Sequence, residues 1–150
     1  MFEISRDRIL HSLTVANQMK EKAEELGWDE KKVQEMFVLG INHDIGYQFG
    51  DNANHNMIGG LILKEMGFKY YKEVMFHGVN GPEYKSKELD LLNWADMRTD
   101  GKGKRVTFEE RLQDIANRRG KNSSAYIESE KMCKSLVKKG WEQLIEEAEC

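Results

Sequence analysis

The stretch from Val33 to Gly46, VQEMFVLGINHDIG, repeats large apolar side chains at helical spacing and then ends in a histidine–aspartate pair. The apolar side chains are Val33, Met36, Phe37 and Ile41. Their spacing predicts an amphipathic helix that begins after Asp29 and stops near Gly46. Neighbouring helical residues project about 100° apart, so His43 and Asp44 can face one pocket only near a helix end. Gly46 is well placed to let the chain turn there.

Apolar repeats of the same kind lie on both sides of this stretch, and residues typical of helix ends bound them. Ser5 is the predicted N-cap of a first helix, which runs to Gly27. Thr107 and Glu110 fit a capping box for a sixth helix, which ends at Gly120. The other predicted helices follow Asn54 as far as Gly67, run from Lys69 to about His77, surround Leu89 and Leu92, and cover residues 124–148 with a break at Gly140.

These repeats predict an all-α fold, because no strand-like alternation is sustained anywhere in the chain. We expect a compact single-domain bundle of about six to seven helices that covers residues 1–150, with a core of about 5–120. The predicted inward stripes of the first and third helices carry the following apolar residues: Ile4, Val15, Met19 and Leu26 in the first, and Ile58, Leu61, Ile62 and Met66 in the third.

Composition narrows the class of protein. The chain has 150 residues, of which 39% are hydrophobic and 33% charged, and its net charge is -3. Apolar residues recur often enough to form a core, and the slight acidity argues against general nucleic-acid binding. No apolar run approaches the length of a membrane span, and no secretory signal is visible at Met1. We expect a soluble cytoplasmic protein without a membrane partner, in which Cys133 and Cys150 are reduced thiols.

All four histidines and two acids fall on or beside the apolar stripes of their helices. They are His11, His43, His55, His77, Asp44 and Asp96. A carboxylate that points into a helical core is costly unless it is paired or bound to a metal ion. Imidazole and carboxylate together suit Mn, Fe, Co, Ni or Zn, with Mg as a further candidate. The pattern therefore predicts a buried site for one or two divalent metal ions.

The string His43-Asp44-Ile45-Gly46, with Arg8 and His11 upstream and Trp94-Ala95-Asp96 downstream, resembles the HD-domain superfamily of metal-dependent phosphohydrolases. The resemblance covers roughly residues 5–120 and implies an HD-type helical bundle. It also implies that His11, His43, Asp44 and Asp96 hold one metal ion. Members with two further intervening histidines hold a second ion. The matching residues here are His55 and His77, with Asp44 bridging, although His77 is followed by Gly78 where many two-metal members have His or Thr.

The implied activity is hydrolysis of a phosphoester by a metal-activated water. Asp44 would be the bridging ligand, and either Asp96 or a nearby acid such as Asp51 would orient the water or protonate the leaving group. No serine or cysteine nucleophile is then needed.

A basic segment suggests where a phosphorylated substrate would bind. Residues 98–121 contain eight basic and four acidic side chains. The first basic residues after Asp96 are the predicted substrate-binding residues: Arg98, Lys102, Lys104 and Arg105. Aromatic side chains that flank the histidines could stack on a base, namely Tyr47, Phe49, Tyr70, Tyr71 and Phe76. We therefore expect a small phosphorylated substrate, with a nucleotide as the first choice.

Two other functions use a similar set of ligands. HD-like di-iron oxygenases hold two irons with six His and Asp ligands, and a non-catalytic signalling module could use a metal ion for stability alone. The intact ligand set counts against the signalling module. Whether the last helix forms a homodimer is left open.

Overall fold

Seven α-helices form the described part of the chain, which comprises residues 5–48 and 55–142 of a computed structural model. In chain order they are α1 Arg6–Glu25, α2 Glu30–Asn42, α3 His55–Glu65, α4 Tyr71–Phe76, α5 Lys87–Met97, α6 Phe108–Arg119 and α7 Ser124–Lys138. A short 3-10 helix, Ile45–Gln48, follows α2. Within the described residues the only β-type pairing is an isolated bridge between Thr99 and Arg105. The all-α class and the number of helices are confirmed.

Polar side chains cap the helices at the predicted places. The Ser5 hydroxyl accepts a hydrogen bond from the Arg8 amide at 3.1 Å. Thr107 and Glu110 form both bonds of a capping box, each 3.0 Å long. Each cap satisfies an amide that has no partner within its helix, so these residues fix where the helices begin.

Helix α5 lies at the centre of the bundle and packs against α1, α2, α4 and α7. Its Leu91 and Leu92 are fully buried, as are Met19 of α1 and Met36 of α2. Burying such large apolar side chains stabilises each by roughly 1.5–3 kcal/mol. The core therefore holds together the helices that surround Asp96 near the end of α5.

Helix α1 packs closely on α2 through small residues. A Cβ atom at Gly40 would lie 2.5 Å from the Ala16 Cα atom. A similar contact joins α3 to α4, where a Cβ atom at Gly60 would lie 2.6 Å from the Met75 Cβ atom. These glycines let the backbones approach, and they bring the histidine-bearing ends of the helices toward one another.

The predicted stripes were partly wrong. Leu26, Leu61 and Met66 are 45%, 49% and 73% exposed, and Ile41 is also exposed. The buried side of α3 instead carries Gly59, Gly60 and Leu63, because that helix makes its contacts through small residues. Other differences concern helix ends. Helix α2 ends at Asn42 rather than near Gly46, and α4 covers only Tyr71–Phe76. Helix α7 ends at Lys138, just before the predicted break at Gly140.

Some predictions fall on residues that the structure does not describe. Ile4, Phe49, Asp51 and the end of the predicted last helix, residues 143–148, lie outside the described ranges. The interpretation of residues 1–150 as one domain stays a prediction. No helix in the described ranges is long and apolar enough to cross a membrane.

Candidate metal centre

Five segments of the chain bring the six predicted ligand residues together, and we call this group the histidine–aspartate cluster. His11 lies on the buried side of α1, and Asp96 lies in the last turn of α5. The other four lie at helix ends: His43 and Asp44 directly follow α2, His55 begins α3, and His77 follows α4. Because α2 ends at Asn42, the chain turns into the 3-10 helix just where the histidine–aspartate pair must face one pocket.

The first group of ligand atoms lies around the carboxylate of Asp96. Its Oδ1 lies 2.8 Å from His11 Nε2 and 3.6 Å from His43 Nε2. The three ligand atoms lie within 4.8 Å of one another. Ligand atoms that share one first-row metal ion at about 2.1 Å are themselves roughly 3–4 Å apart. This group therefore has nearly the spacing that a single ion requires.

Asp44 joins the first group to a second. Its Oδ2 lies 3.3 Å from His43 Nε2, while its Oδ1 lies 3.3 Å from His55 Nε2 and 3.5 Å from His77 Nε2. The two carboxylate oxygens thus face different histidines. His43, Asp44 and His77 also have ligand atoms within 4.8 Å of one another. One carboxylate with oxygens toward two overlapping groups has the arrangement of a bridging ligand.

Hydrogen bonds to backbone carbonyls orient three of the histidines. His43 Nδ1 donates to the Gly40 carbonyl at 2.7 Å, and His77 Nδ1 donates to the Val74 carbonyl at 2.5 Å. His11 Nδ1 donates to the Asp100 carbonyl at 2.8 Å. Because Nδ1 keeps its proton in these hydrogen bonds, a metal ion would bind at Nε2, which presents a lone pair when the ring is neutral. All three Nε2 atoms point toward the carboxylates, and this is how metal-binding histidines are usually held.

The His43 Nε2 atom shows most directly that the cluster fits a metal ion. This atom is buried, and in the described part of the chain it has no hydrogen-bond partner. A buried polar nitrogen without a partner costs roughly 1–3 kcal/mol, so a ligand is expected there. The donors are imidazole nitrogens and carboxylate oxygens, which suit divalent first-row metals.

The ionisable groups of the cluster shift one another's pKa values. Burial favours neutral forms, but the carboxylates of Asp44 and Asp96 outweigh it and raise the pKa of His43 well above its usual value. Burial likewise opposes ionisation of Asp44, yet the charge of His43 and the imidazoles that face its two oxygens hold its pKa well below the usual range. The pKa of Asp96 is lowered in the same way, against burial, by the neighbouring imidazoles of His11 and His43. Two ionised acids in a buried pocket attract cations.

Tyr47 and Arg8 cover one side of the cluster. The Tyr47 ring stacks on His55 with the ring centroids 4.1 Å apart, and the Arg8 guanidinium lies 3.7 Å from the Tyr47 ring centroid. Two groups that close to one ring must lie on its opposite faces. Arg8 Nη1 also lies 3.4 Å from Asp44 Oδ2. Arg8 was not among the predicted site residues, although it stands three residues before His11 on the same helix.

This arrangement alters the predicted role of the aromatic residues. Both faces of Tyr47 are covered, so its ring is not available to stack on a base. Tyr70 is 5% exposed, and its hydroxyl donates to Glu35 Oε1 at 2.9 Å. Tyr70 is therefore a core residue with a satisfied hydroxyl.

An open cavity of about 750 Å³ leads to the cluster. Its inner part is formed by cluster residues and by Arg8 and Tyr47. On the outer part, α6 contributes Arg111, Arg118 and Arg119, which we call the arginine wall. Ser124 and Ser129 of α7 line the same cavity.

The predicted substrate-binding residues lie elsewhere. Arg98, Lys102, Lys104 and Arg105 are not among the described residues that line the cavity. Arg98 is two residues after Asp96, which turns it about 200° around the helix. Its guanidinium pairs with Glu142 and lies 5.2 Å from the Trp94 ring centroid.

The loop after Arg98 reaches the cavity with Gly101, but its neighbouring side chains contact α1 or solvent. The Thr14 hydroxyl donates to the Gly103 carbonyl at 2.7 Å, and Arg105 Nη2 lies 2.5 Å from Glu21 Oε2. The amides of Lys102 and Lys104 donate to Asp100 Oδ1, and both side chains are exposed. The described cavity lining therefore includes Gly101 of this loop but none of its four predicted basic side chains, and the arginines of α6 supply the positive charge there.

The sequence pattern that defines the HD domain family matches residues 8–119, most of the chain. The chain therefore belongs to the HD domain family. This family consists in general of metal-dependent phosphohydrolases, and its members bind divalent metal ions. Comparisons with curated proteins and with solved structures gave no significant match.

Proposed function

We propose that this protein hydrolyses a phosphoester of a small phosphorylated molecule, a nucleotide, with one or two divalent metal ions held by the histidine–aspartate cluster. The observation that carries the proposal is the position of Asp44. Its two oxygens face separate histidines at the inner end of an arginine-lined cavity. A bridging carboxylate beneath an anion-attracting pocket is the arrangement that two-metal phosphoester hydrolysis requires.

We assign the ligands as follows. His11, His43, Asp44 and Asp96 would hold one ion, and His55, His77 and Asp44 would hold the other. When bound, such ions lower the pKa of a water molecule and stabilise negative charge on phosphoryl oxygens. Fe, Mn, Co, Ni, Zn and Mg are the ions to test, because the donors are nitrogen and oxygen without thiolate.

Asp96 is the ligand best placed to contact the attacking water. Its side chain is 24% exposed and lines the cavity, whereas the side chain of Asp44 is only 6% exposed. We propose that Asp96 orients the attacking water, while Asp44 serves as the bridge. Arg8 contacts both Asp44 and Tyr47 and so holds the Tyr47 ring against His55.

The size and charge of the cavity support a nucleotide substrate. Small-molecule sites commonly enclose about 300–1,000 Å³, and this cavity has about 750 Å³. Its arginines suit phosphate oxygens, which guanidinium groups bind through two parallel hydrogen bonds. Since Tyr47 is covered on both faces, this proposal does not depend on base stacking.

The first experiment separates metal binding from chemistry. The protein is stripped of metal, dialysed free of chelator, and reconstituted with each candidate ion. At an ion concentration 100 times the dissociation constant, binding adds about 2.7 kcal/mol to the free energy of unfolding. We expect the melting temperature to rise by about 5–10 °C and phosphate to be released from a panel of nucleotides and generic phosphoesters. Asp44→Ala is expected to show neither effect.

Three results would overturn the proposal. A protein that binds none of these ions has no such site. Oxygen consumption with a mixed-valence iron signal, in place of phosphate release, identifies an oxygenase. Full metal occupancy without turnover of any phosphoester identifies a non-catalytic module.

A further inference from the structure

The arginine wall is a set of positive charges outside the histidine–aspartate cluster. Arg111 is followed by Arg118 and Arg119 at intervals of seven and eight residues, so all three lie on one side of α6. They share the cavity with the cluster, yet none of them is among the six candidate ligands.

Arg111 is the best-buried member of the wall. Its side chain is 17% exposed, and its Nε and Nη1 atoms are buried with no hydrogen-bond partner among the described residues. The nearest carboxylate oxygen paired with it, Asp114 Oδ2, is 4.0 Å from Nη1. Leaving charged nitrogens buried and unbonded is costly, so this guanidinium is suited to a ligand that accepts hydrogen bonds.

The acids near the wall are already engaged. Asp114 Oδ2 forms an ion pair with Arg118 Nη2 at 3.0 Å, and Asp114 is not among the described cavity-lining residues. Asp100 accepts from the amides of Lys102 and Lys104 at 2.9 Å. No ion pair of Arg119 occurs within residues 5–48 and 55–142. The wall therefore carries more positive charge than its own neighbours neutralise.

The charge of the cavity is divided between its two parts. Asp44 and Asp96 are its only carboxylates among the described lining residues, and both belong to the cluster. The outer part has the three arginines and the hydroxyls of Ser124 and Ser129, all of which can donate hydrogen bonds. One cavity thus contains two separate positions for a phosphate group: the cluster, when metal ions are bound there, and the wall.

We propose that Arg111, Arg118 and Arg119 form a second anion subsite, which binds a phosphate group other than the one that is hydrolysed. The substrate class would then be a molecule with at least two phosphate groups, one at the cluster and one at the wall. The assignment of the substrate rests on the proposed function. Binding of an anion at the wall does not, because the wall contains no metal ligand.

Binding of pyrophosphate to the metal-free protein tests the subsite directly. Isothermal titration calorimetry on the full chain, free of metal and chelator, should show saturable binding at one site. Arg111→Gln should weaken it at least tenfold, and Arg119→Gln should weaken it severalfold. Arg111→Lys should give an intermediate loss, because lysine keeps the charge without the fork of donors.

Arg105→Gln is the matched control. It removes the same charge from a residue that pairs with Glu21 outside the cavity, so pyrophosphate binding should stay within twofold of wild type. Circular dichroism melting verifies that each variant is folded. The subsite is disproved if the wild-type protein does not bind pyrophosphate, or if Arg105→Gln weakens binding as much as Arg111→Gln does.

A second measurement tests the substrate class in the metal-loaded enzyme. Hydrolysis of a nucleoside monophosphate is compared with that of the bisphosphate of the same nucleoside. Arg111→Gln should lower kcat/KM for the bisphosphate at least tenfold more than for the monophosphate. Equal losses would overturn the two-phosphate assignment. If no phosphoester is hydrolysed, the proposed function fails, while the calorimetric result still decides whether the subsite exists.

Discussion

The histidine–aspartate cluster and the arginine wall share one cavity, but they are held in place in different ways. In the cluster, three imidazoles are each fixed by a hydrogen bond from Nδ1 to a carbonyl, and their Nε2 atoms converge on two carboxylates. In the wall, Arg111 has two buried nitrogens without a hydrogen bond. The ligand atoms of the cluster are already oriented for a metal ion. The wall, in contrast, has N–H donors without acceptors, which a bound anion would satisfy.

The largest expected effect comes from removing the carboxylate that joins the two groups of the cluster. Asp44→Asn should eliminate metal binding and lower phosphoester hydrolysis by about a thousandfold or more, since the ions contribute several kcal/mol of charge stabilisation. Elemental analysis and a phosphate-release assay measure the two losses. Asp90→Asn makes the same chemical change at a residue that pairs with Lys139, away from the cavity. Full metal content in Asp44→Asn would show that the cluster is not the metal site.

The next prediction asks whether the cluster holds two ions. His77→Ala removes a ligand whose Nε2 lies 3.5 Å from Asp44 Oδ1 and 3.3 Å from His55 Nε2. We expect one of two ions to be lost and activity to fall roughly tenfold to a hundredfold, at least as much as the loss of an outer-shell partner costs. His11→Ala should affect the other ion. Unchanged metal content in His77→Ala would reduce the site to a single ion.

A smaller effect is expected where the cluster depends on close backbone packing. A Cβ atom at Gly46 would lie 1.7 Å from the His55 carbonyl oxygen. Because the obstacle is backbone, Gly46→Ala should shift the start of α3 and move His55. We expect a loss of about 1–3 kcal/mol in the free energy of unfolding and lower occupancy of the second ion.

Thermal denaturation and elemental analysis measure both effects of Gly46→Ala. The control is Gly101→Ala, since a Cβ atom there meets nothing within 4 Å. Wild-type stability and metal content in Gly46→Ala would mean that this contact does not position His55.

The smallest expected effect concerns the basic side chains of the loop after Arg98, which do not line the described cavity. Arg105 and Glu21 form an exposed ion pair between that loop and α1. Arg105→Gln should change hydrolysis less than twofold and the free energy of unfolding by only about 0.2–1 kcal/mol. Steady-state kinetics and thermal denaturation provide the comparison. A tenfold loss of kcat/KM would move substrate binding from the arginine wall back to this loop.

The sequence predicted the helices well but their buried faces only in part. Caps such as Ser5 and Thr107 act within one turn, so local sequence identifies them. Leu61 and Met66 look like core residues by spacing but are exposed, because Gly60 carries the contact with Met75. Hydrophobic periodicity detects the positions of large apolar side chains. It cannot detect a close helix contact that is possible because a glycine has no side chain.

The same reasoning separates the two parts of the cavity. The candidate ligands could be selected from sequence because burying a histidine or an aspartate in a core is costly unless the residue has a partner. An arginine in the sequence gives no such signal, since most arginines lie in solvent. Only the packing of α6 against α7 shows that Arg111 is mostly buried and faces the cavity, whereas Arg98, two residues after Asp96, lies on the other side of α5.

His43 and His77 each hold the end of a helix as well as facing the cluster. Each accepting carbonyl, of Gly40 and Val74, belongs to the last turn of the preceding helix, where carbonyls lack partners within the helix. These imidazoles therefore terminate helices with one nitrogen and face the cluster with the other. An alanine at either position removes both roles at once. Asparagine, whose amide nitrogen lies near the position of Nδ1, keeps the helix end and removes only the ligand, so comparing the two variants separates folding from metal binding.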